Sequence, residues 1–143
     1  MQFIHLVKGA YPKRSCTFLI DFFETNINLA KPGGAGKDKL KNLEITLDIN
    51  FQNPNPNNFG LEETLVNVLH PLIDTNIGRW HVSPTCQLAK YEPNNFYENI
   101  HCDVGKTCRN RIFAWMIYLN DIKVGGGTHF VHQEFTTKPI SGD

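Results

Sequence analysis

The apolar pattern of this chain changes period at Ser83-Pro84, and that change constrains the fold more than any other feature. Before it, two stretches repeat apolar residues at helical spacing. In residues 11–28, Cys16, Leu19, Ile20, Phe23 and Ile27 share one stripe while Asp21, Glu24 and Asn28 lie off it. The spacing predicts a helix with Pro12 in its first turn, where the missing N–H costs nothing. In residues 61–73, Leu61, Leu65, Val68, Leu69, Leu72 and Ile73 make a second stripe, with Glu62 and Glu63 placed favourably in the first turn. Pro71 must kink or end that helix, because it removes the bond to the Asn67 carbonyl. Between the two, Leu43, Ile45, Leu47 and Ile49 alternate with Glu44, Thr46 and Asp48, which predicts a strand with one buried face.

After Ser83-Pro84 only strand patterns remain. Residues 85–91 read as one strand, residues 111–119 as a nearly continuous apolar strand covered on both faces, and residues 128–135 as another. Asn120-Asp121, Gly125-Gly126-Gly127 and residues 139–143 supply turns. Helices followed by successive strands predict an α+β chain, with helices packed outside an antiparallel sheet or barrel.

The 143 residues suit a single domain, with 1–84 helical apart from one or more strands and 85–143 strand-rich. Fourteen basic residues balance fourteen acidic ones, so no net field draws nucleic acid or an anionic membrane. The longest mainly apolar run, residues 112–119, is too short to span a bilayer. The start of the chain lacks a basic segment followed by a long apolar one, so reduced thiols and a cytoplasmic location are expected for Cys16, Cys86, Cys102 and Cys108. Residues 31–38 contain Gly36-Lys37 but fail as a phosphate loop: Lys31 stands where the first glycine belongs, Asp38 replaces the Ser or Thr, and a helix precedes them. They read as a flexible loop, as do the Asn/Pro/Gly-rich residues 50–60.

The chemistry concentrates in residues 91–103. If they are extended, His101 and Asp103 point to one face and Cys102 to the other. An imidazole with a carboxylate is the ligand mixture of two-histidine, one-carboxylate ferrous sites, which keep positions open for dioxygen and a cosubstrate. Further along, strand parity puts Tyr118 with Ile112, Ala114 and Met116, opposite Phe113, Trp115, Ile117 and Leu119. Such a tyrosine is either a phenol aimed into a pocket or a core tyrosine with a satisfied hydroxyl.

Five elements recur in a telling order: Tyr91 with Asn94-Asn95-Phe96-Tyr97, the pair His101 and Asp103, Arg111 leading to Tyr118-Leu119-Asn120-Asp121, Gly125-Gly126-Gly127-Thr128-His129-Phe130, and Pro139-Ile140-Ser141-Gly142-Asp143. Together they resemble the prolyl 4-hydroxylase branch of the 2-oxoglutarate- and Fe(II)-dependent dioxygenases, over roughly residues 87–143. The resemblance implies a double-stranded β-helix, or jelly roll, with the N-terminal helices outside it. It implies Fe(II) held by His101 and Asp103, the distal carboxylate of 2-oxoglutarate held by Tyr118, and Tyr91 lining the same pocket. Ascorbate is a further cofactor it suggests. The implied reaction is hydroxylation of a peptidyl proline or similar substrate in a protein, peptide or small molecule, with small amino acids and nucleic-acid bases as alternatives. Arg111 reads as structural and Thr128 as a support of the glycine turn.

Two departures accompany the resemblance. The family usually carries an acidic residue at the position of Gly127, which shapes a turn. The family's second histidine ligand and its basic 2-oxoglutarate anchor normally follow the Pro-x-x-Gly-Asp turn by a strand or more. The last strands are therefore expected to lie past Asp143, leaving a truncated, weak or inactive domain whose exposed sheet edge favours self-association. His129 and His132 have opposite parity, and neither stands where the family places its distal ligand. Two other readings remain open: a noncatalytic jelly-roll binding module, and a zinc site using His101, Cys102 and Cys108 with Cys86. The zinc spacing matches no closed pattern, and parity separates Cys102 from His101.

Overall fold

A computed structural model describes residues 4–33, 42–48, 60–73, 78–97, 100–105 and 109–143. In chain order these form α1 (Lys13–Thr25), β1 (Lys31–Pro32), β2 (Asn42–Asp48), α2 (Leu61–Leu69), β3 (Thr85–Tyr91), β4 (His129–Phe130) and β5 (Phe135–Thr136). The strands make two antiparallel sheets, ordered β1-β2-β3 and β4-β5, and neither closes among the described residues. The chain is thus α+β, with two α-helices and small antiparallel sheets. The expectations for residues 34–38, Ile49, residues 50–59 and Cys108 lie outside the described residues.

The core forms where β2 and β3 pair. Ile45 lies opposite Leu88 and Leu47 opposite Cys86, so these side chains share one face of the sheet. They join Tyr11, Cys16, Leu19 and Phe23 from the α1 region and Leu61 and Leu65 of α2 in one cluster. Burying an aliphatic or aromatic side chain of this size contributes about 1.5–3 kcal/mol, so this cluster holds helices to sheet. Burial also pushes the Tyr11 phenol up to about 12 and the Cys86 thiol up to about 11. At the border of the same face, Lys90 bonds Glu24 of α1 at 2.8 Å.

Both helices are shorter than their stripes predict. Pro12 caps α1 in an extended conformation, one place outside the first turn. At the other end the Asn26 side-chain amide donates to the Phe22 carbonyl at 2.8 Å, competing with the helical pattern. A 3-10 turn, Ile27–Leu29, follows, which leaves Ile20 half-buried and Ile27 exposed. α2 stops at Leu69, two residues before Pro71, which has no N–H for the Asn67 carbonyl, although His70 between them keeps the helical conformation.

β1 corrects the expectation that residues 31–33 are loop. The Gly33 N–H donates to the Asn42 carbonyl at 3.1 Å, and a side chain at Gly33 would run into those of Asn42 and Glu44. This contact buries Asn42, while Leu43, expected inside, is 36% exposed.

The two later strands also differ from expectation. Residues 111–119 join no ladder, and residues 111–114 are exposed, so this segment is not covered on both faces. It is tied to the C-terminal turn instead: the Tyr118 N–H donates to the Asp143 carbonyl at 3.0 Å and the Gly142 N–H to the Tyr118 carbonyl at 2.8 Å. Residues 128–135 are not one strand but β4, a 3-10 turn at Val131–Gln133, and β5, with Glu134 at φ 48° closing the hairpin. The polar run His132-Gln133-Glu134 has no buried face to follow, so a turn competes with extension there. The C-terminal turn also holds the start of the chain, since the Tyr11 N–H donates to the Gly142 carbonyl at 3.0 Å and the Gly9 N–H to Asp143 Oδ1 at 2.8 Å.

Candidate functional site

β3 delivers the chain to the site. After Tyr91, Pro93 and Asn94 turn the backbone, with the Asn95 N–H bonded to the Glu92 carbonyl at 3.0 Å and Asn94 at φ 68°. Proline followed by a residue at positive φ is the arrangement of a type II turn, and asparagine tolerates that conformation better than most residues. Beyond it the Tyr97 ring meets the His101 ring edge-on, centroids 4.7 Å apart. His101 Nε2 then lies 3.5 Å from Asp103 Oδ1.

The two candidate ligands therefore come together although residues 100–105 join no strand. Two donors on one ion, each about 2.0–2.2 Å from it, stand about 3–3.5 Å apart, and the 3.5 Å of this pair lies at the upper end of that range. An imidazole and a carboxylate also match the donor chemistry of Fe(II). Both side chains are about half exposed, at 52% and 46%, which leaves the pair open to a ligand from solvent. Among the described residues, no group of three or more His, Cys, Asp or Glu side chains converges on one point. Arg111 Nη1 donates to the Asp103 backbone carbonyl at 3.3 Å, an exposed contact made where no strand begins.

Tyr91 is the last residue of β3, just before this loop. It is opposite Asn42 in the sheet, on the face turned away from the helices. Partial burial, and then Glu44 and Tyr97 nearby, raise its phenol above the usual value. Tyr97 thus meets the His101 ring and also acts on the Tyr91 phenol through its charge. The Tyr97 contact was not singled out from the sequence, since a tyrosine four residues before a histidine carries no readable spacing outside a helix.

Tyr118 has a different setting. Trp115, Ile117 and Leu119 pack against the core, so alternation places Tyr118 on the opposite side, as parity predicts. Its hydroxyl accepts from the Thr128 N–H at 3.0 Å and bonds the hydroxyls of Thr128 and Thr137. The backbone permits this because Gly127 passes so close to the Thr137 carbonyl that any side chain there would collide with it. Thr137 is the partner sequence reasoning missed, lying 19 residues away across a hairpin that was read as a single strand.

The histidines and cysteines of the other readings fall elsewhere. His129 Nδ1 lies 2.8 Å from Thr136 Oγ1 across the hairpin. Cys102 Sγ donates to its own loop, at the Val104 carbonyl 3.3 Å away. Cys86 packs against the apolar core on the helix-facing side of β3, where burial pushes its thiol up to about 11. No helix among the described residues is long and apolar enough to cross a membrane.

No family model matches this chain, and no curated protein or solved structure matches it.

Proposed function

We propose that this chain carries part of an Fe(II)- and 2-oxoglutarate-dependent oxygenase site within a jelly-roll domain, with a peptidyl proline or similar group as the substrate. The observation that carries the reading is the 3.5 Å between His101 Nε2 and Asp103 Oδ1, on the loop leaving β3. It is supported by Tyr91 and Tyr118, each on the side of its segment turned away from the helical core.

In this reading His101 binds through Nε2 as a neutral imidazole and Asp103 through a carboxylate oxygen, with a third protein donor completing the set. Iron with 2-oxoglutarate would supply the oxidising power for hydroxylation, with ascorbate as an accessory reductant. Tyr97 fixes the His101 ring by its edge contact, and Arg111 fixes the backbone of Asp103. The Tyr118 hydroxyl accepts the Thr128 N–H and donates to Thr128 Oγ1 at 3.2 Å, so in this reading its proton would have to turn from Thr128 to meet a carboxylate.

An anaerobic titration with Fe(II) tests the ligand pair. The expected result is binding that is lost in His101→Ala and in Asp103→Ala and kept in Cys102→Ser. Loss in Cys102→Ser instead would favour zinc, and a wild-type chain that takes up no metal would sink both readings. Adding 2-oxoglutarate should then give a visible charge-transfer band, weakened in Tyr118→Phe. The second reading, a noncatalytic binding module of the same fold, is favoured by the two-donor pair, and it predicts metal uptake without that band.

A further inference from the structure

The two edges of the three-stranded sheet are built differently, and their hydrogen-bond parity can be followed strand by strand. The Gly33 N–H to Asn42 carbonyl bond points the backbone groups of Asn42 towards β1. Along an antiparallel strand that direction alternates, so Leu43, Ile45 and Leu47 point theirs at β3. Their partners there are Lys90, Leu88 and Cys86. The backbone N–H and C=O groups of Thr85, Gln87, Ala89 and Tyr91 consequently point out of the sheet. None of these groups has a partner among the described residues, and all four residues are exposed.

The β1 edge is defended by its shortness and by Pro32, whose ring occupies an outward N–H position. β3 has neither defence: it runs for seven residues without proline or glycine. Its one charge, Lys90, which would ordinarily deter another strand, is drawn to the core face and held by Glu24 at 2.8 Å and Glu92 at 3.4 Å.

We infer that the free edge of β3 is a self-pairing surface, on which a second copy of this chain adds its own β3 antiparallel about a two-fold axis at Leu88. The sequence fits itself in that register. Gln87 meets the partner's Ala89 and Thr85 meets the partner's Tyr91, so every outward N–H and C=O on the strand finds an acceptor or donor. Thr85 beside an aromatic ring is a favourable cross-strand pair. Lys90 meets the partner's Cys86, so no like charges stand opposite each other. Two three-stranded sheets then join as one continuous sheet. This surface uses backbone groups and is independent of the iron reading.

Sedimentation velocity on the whole chain, over roughly a hundredfold range of concentration, tests the inference, because a dimer forms by mass action. The wild type should pass from monomer to dimer and stop there. Gln87→Lys with Ala89→Lys places like charges opposite each other twice and should weaken the dimer on the order of tenfold or more. Gln87→Lys with Ala89→Glu places opposite charges there and should keep it. Both positions are exposed, so the fold should persist in each variant. On the wild type, hydrogen exchange at the amides of Thr85, Gln87, Ala89 and Tyr91 should slow as concentration rises. A monomer at every concentration overturns the inference and leaves the edge to an extended segment of another protein. Two double variants that dimerise alike, association that runs on past the dimer, or exchange at those amides that ignores concentration overturns it too.

Discussion

Around Ile45 and Leu88 the chain is held by burial, whereas around Tyr118 it is held by a phenol, two threonines and a tight turn. The first region draws side chains from α1, β2, α2 and β3, and its attraction is non-directional. The second has few buried residues, Thr137, Pro139 and Gly142 among them, and depends on donors and acceptors meeting at fixed distances. A buried apolar cluster loses stability by degrees when a side chain shrinks, but a polar network fails when one partner is left unsatisfied. The comparison teaches that the two candidate phenols have different supports. Tyr91 rides on the sheet and Tyr118 on the network.

The largest expected effect tests the burial side. Leu19→Ala empties a site that is 2% exposed and should cost about 2–5 kcal/mol, read as a lower midpoint in urea with an unchanged slope. Next comes the polar side: Tyr118→Phe removes the phenol's bonds while the Thr128 N–H keeps Thr137, and should cost about 0.5–1.5 kcal/mol. If Tyr118→Phe proves as stable as the wild type, the network does not hold this region, and the contrast between the halves fails.

A pH series separates the two regions without mutation. Cys86 is raised from 9.0 to about 11 and Tyr11 from 10.0 to about 12 on folding, and both belong to the core side. A raised folded value means stability that is complete below the unfolded value and lost as pH climbs through the folded one. The fold should therefore weaken from pH 9.0 upward, in two overlapping stages that finish near 11 and 12. Cys86→Ala should remove the earlier stage and leave the later, measured by urea midpoints across that interval. A single stage unaffected by Cys86→Ala would show that the thiol is not held neutral by the core.

The smallest effect belongs to the border. Glu24→Gln breaks the bond between α1 and Lys90, an exposed ion pair whose contribution is slight and should vanish in high salt. A large, salt-independent loss would mean that the helix is held to the sheet by charge rather than by Leu19 and its neighbours.

Much of the core was legible because its signals are local. β3 begins and ends where the sequence places it, at Thr85 and Tyr91, since Pro84 stands before it and Pro93 soon after. The buried positions Cys16, Leu19, Phe23, Leu61, Leu65, Ile45 and Leu47 all lie on the predicted stripes. The His101 and Asp103 pair was legible in part: the two side chains meet, but on a chain that bends at Asp103 and not on the extended segment that parity assumes. The rest was not. An apolar run such as residues 112–119 looks like a covered strand, but covering needs neighbours, which no local pattern can announce. The hairpin from β4 to β5 and the short β1 were hidden for the same reason, each resting on a partner elsewhere in the chain.

By itself, then, the sequence determined which residues seek the interior, because hydrophobic period acts over a few residues. Only the tertiary structure decided that the Tyr118 hydroxyl meets Thr137 and that Asn42 is buried beneath Gly33. It also decided that β3 ends one edge of its sheet with Thr85, Gln87, Ala89 and Tyr91 turned outward. Those outcomes depend on contacts between distant parts of the chain, where geometry in three dimensions, and not spacing along the sequence, selects the partner.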